Sequence, residues 1–290
     1  MISHIPYLAM KKILVPTDFS DLANYALDVA ADIARKIKSE IILMNVVEYP
    51  TSPTFNVMGI NAINNIDNIY IVEILDRIRE QLLDTIKEPK YQDLNITTDV
   101  KIGSAFRSIT EDITNNNVGL VIMGTKGSGG IEGFLVGSNT ERVVRLARCP
   151  VLTIKNQISL EAIKEVVFPT SLEDDQEHLI LELKKLQELL GARLHIVKIN
   201  TPNHFETDRQ IKEKMKKFVE KNKLENFTLN IYNHSIEEDG IIYFAEDIHA
   251  DMIALGTHGR TGLLHLLSGS IAEDVVHHAN RPVWTFSLKH

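Results

Sequence analysis

The amino-acid sequence predicts an α/β protein made of two consecutive domains, each a doubly wound sheet of five parallel strands. The chain has 290 residues, enough for two domains of ordinary size. A glycine-rich motif occurs twice, and around each copy apolar strand patterns alternate with helical patterns. Because the predicted strands are nearly continuous apolar runs separated by helices, we expect parallel sheets covered by helices on both faces.

The repeated motif divides the chain into two copies of one domain. Residues 124–138 read GTKGSGGIEGFLVGS and residues 256–270 read GTHGRTGLLHLLSGS, and seven of these 15 positions are identical. The copies also begin alike, with ILVPTD at 13–18 and VVFPTS at 166–171. We therefore predict an N-terminal extension over residues 1–9, a first domain over 10–157 and a second domain over 158–290.

Each copy is predicted to contain five strands with four helices between them. In the first copy the strands are residues 12–17, 41–47, 96–102, 120–123 and 151–154, and the helices are 20–37, 71–86, 109–113 and 138–148. In the second copy the strands are residues 165–170, 193–199, 227–232, 252–255 and 283–286, and the helices are 176–190, 208–221, 240–249 and 270–278. The helices are assigned from apolar residues spaced three and four apart, as at Ala23, Ala26 and Leu27 after the capping residue Ser20. The polar segment 49–68 contains two prolines and is predicted to be a mobile loop.

Composition narrows the range of functions. Acidic residues outnumber basic ones by 39 to 31, giving a net charge of −8, whereas nucleic-acid-binding proteins are usually basic. No run of 18 apolar residues is present, and the N-terminus lacks the apolar core of a secretory signal, so neither a membrane span nor secretion is expected. The single cysteine, Cys149, excludes an intramolecular disulfide and a cysteine-based zinc site, and a reducing cytoplasm is the predicted location. Cys149 is interpreted as a packed thiol, and Trp284 as a core or domain-interface residue.

The glycine motif predicts a binding site for an anion. Its spacing is G-x-x-G, nine residues, then G-S, and Gly124 and Gly256 stand at the ends of the fourth strands, where doubly wound sheets bind ligands. Glycine permits a positive φ and lets an anion approach backbone N–H groups closely. The pairs Gly137-Ser138 and Gly269-Ser270 then open helices, whose N-terminal amides and dipoles favour phosphate, while the serine hydroxyl can cap the helix or donate to phosphate.

Other phosphate-binding signatures do not fit this sequence. No G-x-x-x-x-G-K-[ST] motif occurs, and the G-x-G-x-x-G register fails because Glu132 stands at its third glycine. A single glycine after a strand is usually only a turn. The same spacing in both copies, each time leading into a helix, favours a binding role over that alternative.

On these residues the chain resembles the universal stress protein family. The resemblance covers nearly all of residues 10–290 and rests on Val15-Pro16-Thr17-Asp18, both glycine motifs and the Pro-Val starts of the last strands. It implies a Rossmann-like fold with strand order 3-2-1-4-5 in each domain. It also implies adenine-nucleotide binding, because the branch of the family that keeps this glycine motif binds ATP. The ligand expected from the resemblance is ATP, alone or with Mg²⁺ or Mn²⁺.

The resemblance also implies a set of nucleotide-binding residues in each copy. Asp18 resembles the acidic residue near the adenosine, and Val46 the residue whose backbone contacts adenine. In the first copy the full set is Pro16, Thr17, Asp18, Val46, Met123, Gly124, Gly127, Gly137 and Ser138. In the second copy the matching residues are Ile196, Leu255, Gly256, Gly259, Gly269 and Ser270. The loop cations Lys126 and Arg260 are candidate phosphate partners on their chemistry, with a solvated loop lysine as the alternative for Lys126.

The second copy departs from the family pattern at the end of its first strand. Ser171 stands where the first copy has Asp18, and Glu173, Asp174 and Asp175 follow. A serine keeps a hydrogen-bonding group but removes the carboxylate, and three acids repel a triphosphate. The second site is therefore expected to bind ATP less tightly than the first.

No catalytic constellation is recognised, since the sequence has no G-x-S-x-G nucleophile motif and offers no clear general base. The histidines form no close pair on one predicted helix face, so no dedicated metal site is predicted. The sequence thus predicts a cytoplasmic, ATP-binding universal stress protein with a non-catalytic role in stress response or signalling. The alternative is a slow ATPase or a nucleotidyl-transferring enzyme, and a scaffold with vestigial sites is a third hypothesis.

The two copies are expected to form a pseudo-dimer within one chain. The resemblance implies pairing through the closing strands, because members of the family dimerise through that sheet edge. The strands 151–154 and 283–286 should therefore lie at the sheet edges and face each other across a pseudo-two-fold axis, since unpaired edges are a liability and fusion makes the contact intramolecular. Whether whole chains also form a homodimer is left open. The partner predicted is an adenine nucleotide; neither nucleic acid nor a membrane is expected, and no protein partner is identified.

Overall fold

The structure, a computed structural model, describes residues 12–48, 65–125, 136–172, 176–257 and 270–287. Strands and α-helices alternate along these ranges. The strands are β1 (Lys12–Pro16), β2 (Glu40–Val47), β3 (Ile96–Ile102), β4 (Leu120–Gly124), β5 (Val151–Ile154), β6 (Glu165–Pro169), β7 (Arg193–Asn200), β8 (Phe227–Asn233), β9 (Met252–Thr257) and β10 (Val283–Ser287). The helices are α1 (Asp21–Ile37), α2 (Asn65–Ile86), α3 (Ala105–Asn115), α4 (Ser138–Leu146), α5 (Glu177–Leu190), α6 (Asp208–Asn222), α7 (Glu237–Asp247) and α8 (Ser270–His278).

The ten strands form one sheet in the order β3-β2-β1-β4-β5-β10-β9-β6-β7-β8. Strands within each copy are parallel, and the first copy has the predicted order 3-2-1-4-5. Counted from β6, the second copy has the same order. The predicted α/β fold is therefore confirmed. The strand order reverses between β1 and β4 and between β6 and β9, and such switch points bind ligands at the carboxyl ends of the strands.

The two copies are joined by hydrogen-bonded pairing of their closing strands. β5 and β10 are antiparallel, with Trp284 opposite Leu152. Thr153 Oγ1 donates to the carbonyl of Val283 at 3.1 Å, and Thr285 Oγ1 donates to the carbonyl of Val151 at 3.4 Å. These reciprocal contacts, between residues at equivalent positions of the repeat, define a pseudo-two-fold axis. The prediction that these strands face each other is confirmed, and their pairing continues one sheet through the whole chain.

Apolar cores cover both faces of the sheet. One core packs α1, α2, α5 and α6 against the strands and continues through both copies, and the other packs α3, α4, α7 and α8. Trp284 is 1% exposed in the first of these cores, beside the strand pair that joins the copies, as the sequence predicted. Lys36 of α1 donates to the carbonyl of Leu189 in α5, so helices as well as strands link the copies.

The predicted elements differ from the structure mainly at their ends. Ser20 caps α1 as predicted, with its hydroxyl accepting from the Ala23 N–H at 3.3 Å. α3 begins four residues earlier than predicted, and α7 three residues earlier. α2 begins at Asn65, so the predicted loop 49–68 is wrong for its last four residues, while residues 49–64 lie outside the described ranges. In the part of the chain that the structure describes, no helix is both long and apolar enough to cross a membrane.

Candidate functional site

The predicted binding residues of the first copy that the structure describes lie around the carboxyl ends of β1, β2 and β4, a region we call site one. Thr17 Oγ1 accepts from the Phe19 N–H at 3.0 Å, and Phe19 adopts a left-handed conformation with φ of 65°. Asp18 Oδ1 accepts from the backbone N–H of Ser20 at 3.1 Å and from its hydroxyl at 2.6 Å. The loop that follows Pro16 is thus held by its own polar side chains, which fix the Asp18 carboxylate at the strand end.

The end of β2 is tied to this loop by two hydrogen bonds. The Thr17 N–H donates to the carbonyl of Met44 at 2.8 Å, and Asn45 Nδ2 donates to the carbonyl of Thr17 at 2.8 Å. Val46, which follows, is half-buried and lies opposite Lys101 of β3. The structure therefore places Val46 at the rim of site one, next to the Asp18 loop.

Glu48 is a further site-one residue that the sequence did not reveal. Its Oε1 accepts from the Ala105 N–H at the start of α3 and from Asn139 Nδ2 in the first turn of α4, both at 3.2 Å. The carboxylate therefore links two helix N-termini at the rim of the site. These partners lie 57 and 91 residues away in the sequence, so no local pattern indicates the contact.

Gly124 ends β4 where the strand passes close to α1. A Cβ atom at this position would lie 2.9 Å from Leu22 Cβ and 3.0 Å from the carbonyl carbon of Leu22. Thr140 Oγ1 of α4 donates to the carbonyl of Gly124 at 3.1 Å, and Met123 before it is 5% exposed. Packing alone therefore requires a glycine here, and this requirement brings β4, α1 and α4 together at site one.

The N-terminus of α4 presents the features of an anion site. Gly137 is the N-cap, with φ of −66° and ψ of 142°, and its N–H donates to the carbonyl of Thr125 at 2.7 Å. Ser138 is the first residue inside the helix, so its hydroxyl does not cap, and it has no hydrogen-bond partner among the described residues. The N–H groups of residues 138–140 have no acceptor within the helix, and the helix dipole adds positive potential there. A Cβ on Gly137 would have only the Thr125 carbonyl nearby, at 3.7 Å, so the approach to these amides is open.

The second copy reproduces the loop after its first strand, in a region we call site two. The Thr170 N–H donates to the carbonyl of Val197 at 3.0 Å, and Thr170 Oγ1 accepts from the Leu172 N–H at 3.0 Å. Leu172 has φ of 66°, like its counterpart in site one. Ser171, which replaces the aspartate, accepts from Gln176 Nε2 at 3.3 Å. Site two therefore keeps the backbone geometry of the loop without its carboxylate.

The strand register corrects one predicted position in site two. The proline that ends the first strand of each copy pairs with Met44 in one copy and with Val197 in the other. Met44 and Val197 are therefore equivalent, and two residues further along their strands Val46 is equivalent to Ile199. The predicted counterpart of Val46, Ile196, lies three residues before this position. Ile196 is fully buried in the middle of β7, away from the strand end. The shift arises because strand pairing, which fixes equivalence, is not visible in an alignment of short apolar runs.

The same register reveals a lysine that the sequence analysis missed. Lys198 occupies the position of Asn45, is 5% exposed, and makes no ion pair or hydrogen bond within the described ranges. Buried lysines are rare unless they are paired. The two positions that carry Asp18 and Asn45 in site one carry Ser171 and Lys198 in site two, so at these two positions a carboxylate is lost and a buried amine is gained.

The end of β9 and the start of α8 match their first-copy counterparts. Leu255 is 3% exposed and Gly256 follows it in β9, and α8 begins at Ser270. Several predicted residues lie outside the described ranges: Lys126, Gly127, Glu173, Asp174, Asp175, Gly259, Arg260 and Gly269. Among the residues that are described, no group of three or more His, Cys, Asp or Glu is arranged to hold a metal ion.

Cys149 has the properties of the packed thiol that the sequence predicted. The side chain is buried before β5, and it forms no disulfide. Burial raises the pKa of the thiol to about 12, with the charge of Glu182 acting in the same direction. A thiol of this pKa is a poor nucleophile at neutral pH.

Two doubly wound domains, each with a glycine at the end of its fourth strand and a helix opening beside it, define a tandem α/β protein with two equivalent candidate sites. The profile of the universal stress protein family matches residues 10–155 and 162–287, so the chain belongs to the universal stress protein family and carries two of its domains.

Relatives of known sequence and structure agree with this assignment. A universal stress protein of Methanocaldococcus jannaschii is 33% identical over 146 residues, which are 50% of this chain and 82% of that protein. A universal stress protein of Bacillus subtilis is 26% identical over 148 residues, covering 50% of this chain and 98% of that protein. The crystal structure of a universal stress protein from Archaeoglobus fulgidus superimposes with a TM-score of 0.71 at 19% identity, covering 96% of this chain and 98% of that one. This last likeness shows that the fold is shared over nearly the whole chain.

Proposed function

We propose that the chain binds an adenine nucleotide, with ATP as its ligand at site one. The observation that carries the proposal is the open N-terminus of α4 beside Gly124, at the point where the strand order reverses. The amides of residues 138–140 and the Ser138 hydroxyl are suited to phosphate oxygens. At the other end of the site, Asp18 accepts from a ribose hydroxyl and the Val46 backbone contacts adenine. Where Mg²⁺ or Mn²⁺ accompanies the nucleotide, Asp18 would be the residue to hold it, and the ion would neutralise phosphate charge.

The rest of the proposed site follows the family motif. Pro16, Thr17 and Met123 line the strand ends in site one, and the loop residues Lys126, Gly127 and Gly137 surround the phosphates. Site two is proposed to use Ile199, Leu255, Gly256, Gly259, Arg260, Gly269 and Ser270. We place the domain boundary between residues 157 and 158, after an N-terminal extension over residues 1–9.

The proposed role is that of a cytoplasmic nucleotide sensor in stress response or signalling. A single cysteine suits a reducing compartment, which supports the cytoplasmic assignment. The ligand site is assigned a binding role, and turnover of ATP is the alternative that the experiment must separate from it.

The decisive experiment identifies the ligand directly. Purified protein is denatured, the released small molecules are analysed by mass spectrometry, and ATP binding to stripped protein is measured by calorimetry. Release of intact ATP, or binding with no phosphate produced over hours, supports the proposal. Steady production of phosphate that Ser138→Ala reduces would assign an ATPase instead. Absence of both co-purified nucleotide and measurable ATP affinity would refute the proposed function.

A further inference from the structure

The helices that follow the two glycine motifs pack against each other across the pseudo-two-fold axis, α4 from the first copy and α8 from the second. Glu141 and Glu273 are equivalent in the repeat, as are Arg145 and His277. Arg145 Nε lies 3.7 Å from Glu273 Oε1, and His277 Nε2 lies 3.8 Å from Glu141 Oε2. The same contact between a glutamate and a basic side chain is therefore made twice. In one contact the base is Arg145, which stays charged, and in the other it is His277, whose residue type can gain or lose a proton near neutral pH.

The other nitrogen of His277 reaches the first copy. The Val136 N–H donates to His277 Nδ1 with an N···N distance of 3.4 Å. Val136 is 8% exposed and directly precedes Gly137, the N-cap of α4. The Gly137 N–H in turn donates to the Thr125 carbonyl. A side chain of the second copy thus contacts the backbone that leads into the proposed phosphate site of the first.

We propose that His277 is a positioning residue for site one, so that this site is completed by the second copy and weakens when His277 is protonated. The inference rests on the proposed function of site one. A neutral imidazole that carries its hydrogen on Nε2 accepts from Val136 at Nδ1 and points its N–H towards Glu141. An imidazolium has hydrogens on both nitrogens and cannot accept. Protonation therefore strengthens the contact with Glu141 and removes the hydrogen bond that anchors Val136.

Several charged groups lie around the ring of His277. Glu141 on α4 favours the protonated form, as do Glu273 and Asp274 on α8. Arg145 on α4 opposes it, as does Lys155 after β5, whose Nζ donates to the His277 carbonyl at 2.9 Å. The neighbouring ring of His278 has its centroid 6.2 Å from that of His277.

The Glu273 carboxylate of this cluster is largely buried. Burial raises the pKa of Glu273, an effect that Arg145 opposes and that Glu141 and Asp274 reinforce. Its Oε1 has no hydrogen-bond partner among the described residues. The carboxylate in direct contact with the His277 ring is that of Glu141, whose Oε2 lies 3.8 Å from Nε2.

The inference predicts a pH response confined to site one. A histidine ring titrates between about pH 5 and pH 8, so site one loses affinity as the pH falls through that range. One hydrogen bond contributes about 0.5–1.5 kcal/mol, so the expected loss is about twofold to twelvefold in Kd. Site two has Arg145 at the equivalent position, which keeps its charge throughout, so site two does not share this response.

Three variants separate positioning from simple charge attraction. His277→Gln keeps an acceptor for the Val136 N–H without a titrating group, and His277→Arg copies the permanent charge of Arg145. His278→Gln is the matched control, since His278 Nδ1 lies 2.9 Å from the Asp274 carbonyl of its own helix. Each is made in the full chain carrying Gly269→Val, which closes site two, and folding is checked by thermal unfolding.

Binding of ADP is measured by calorimetry between pH 5.5 and pH 8, and amide exchange of Val136 is followed by NMR without ligand. We expect His277→Gln to reduce the pH response to the part that comes from the ADP phosphate itself, while keeping tight binding, and His277→Arg to bind weakly at every pH. Tighter binding by His277→Arg, or a pH response in His277→Gln as large as in the parent protein, overturns the inference. If no nucleotide binds at all, the proposed function fails, and the exchange data still decide the inference. Protection of the Val136 amide that falls as His277 is protonated supports it, and protection that ignores both pH and His277→Gln overturns it.

Discussion

Gly137→Val tests whether the start of α4 binds phosphate. The backbone at Gly137 has φ of −66°, an ordinary extended conformation that valine also adopts. This position therefore does not need a glycine for a positive φ. The added Cβ meets only the Thr125 carbonyl, at 3.7 Å. Valine is a poorer N-cap than glycine by about 1 kcal/mol of stability. Replacing glycine also lowers the conformational entropy of the unfolded chain, which stabilises the folded state by about 0.4–1 kcal/mol. The stability of the variant should therefore stay within about 1 kcal/mol of the parent.

The effect on binding should be much larger than the effect on folding. The valine side chain introduced by Gly137→Val would occupy the open space in front of the amides of residues 138–140. A hydrogen bond from an amide to a charged phosphate contributes about 1.5–3 kcal/mol. Loss of one such bond raises Kd by about 10-fold to 150-fold.

The assay combines calorimetry with urea unfolding and uses a second glycine as control. ATP is titrated into Gly137→Val in a chain whose second site is closed by Gly269→Val. Gly124→Ala is the matched control for the effect of space on stability. Its Cβ would lie 2.9 Å from Leu22 Cβ and 3.0 Å from the Leu22 backbone, and overpacking of this kind costs about 1–3 kcal/mol of stability. Unchanged ATP affinity in a folded Gly137→Val protein would refute the phosphate assignment, and unfolding of that variant would refute the reasoning about space.

Two further predictions concern the scaffold. Lys101 pairs with the buried Asp112 in the first copy, whereas Tyr232 and Phe244 stand at the equivalent positions of the second copy, with ring centroids 5.6 Å apart. The double change Lys101→Tyr with Asp112→Phe should leave the free energy of unfolding within about 1 kcal/mol of the parent protein. Asp112→Ala alone should lower that free energy by about 1–3 kcal/mol, as measured by urea unfolding. A double variant less stable than the single one would contradict this reasoning. Because burial raises the pKa of Cys149 to about 12, iodoacetamide at pH 8 should label the native thiol on the order of a thousand times more slowly than the unfolded chain, and equal rates would contradict this.

The fold was predictable because its elements have strong local signals. The bounds of β3 match the prediction, since its apolar residues Ile96, Val100 and Ile102 share one face at the two-residue period of a strand. The early turn of α3 was missed although Ala105 and Arg107 are good helix formers and Ser104, its N-cap, is a favoured residue type there. Packing supports this turn as well, since the guanidinium carbon of Arg142 in α4 lies 4.2 Å from the centre of the Phe106 ring.

The site was predictable only where its residues adjoin the glycine motif or the first strand. Asp18 and Gly137 follow from short motifs, but Ile199 and Lys198 depend on strand register, which is set by pairing between distant segments. The contact of His277 with Val136 spans 141 residues and requires two helices to meet across the axis that joins the copies. A contact of this kind is set by how the helices pack, so it cannot be predicted from the order of residues along the sequence.

The two sites should bind ATP unequally, with site one the tighter. Site one offers the Asp18 carboxylate, oriented by the N–H and the hydroxyl of Ser20. A carboxylate that accepts from a ribose hydroxyl contributes about 1.5–3 kcal/mol, or about 10-fold to 150-fold in affinity. Site two has only the Ser171 hydroxyl, which already accepts from Gln176. The buried Lys198 stands at the position of Asn45 beside this loop and is a hydrogen-bond donor only, so it cannot accept from a ribose hydroxyl.

Reciprocal variants test this inequality. Asp18→Ser should weaken site one towards the affinity of site two and narrow the gap, and Ser171→Asp should strengthen site two, since it restores a carboxylate that can accept from a ribose hydroxyl. Adenosine without phosphates isolates the ribose contribution, and it should bind detectably to site one alone. Calorimetry that resolves two identical sites, or a tighter second site that Asp18→Ser leaves unaffected, would show that the carboxylate does not discriminate between them.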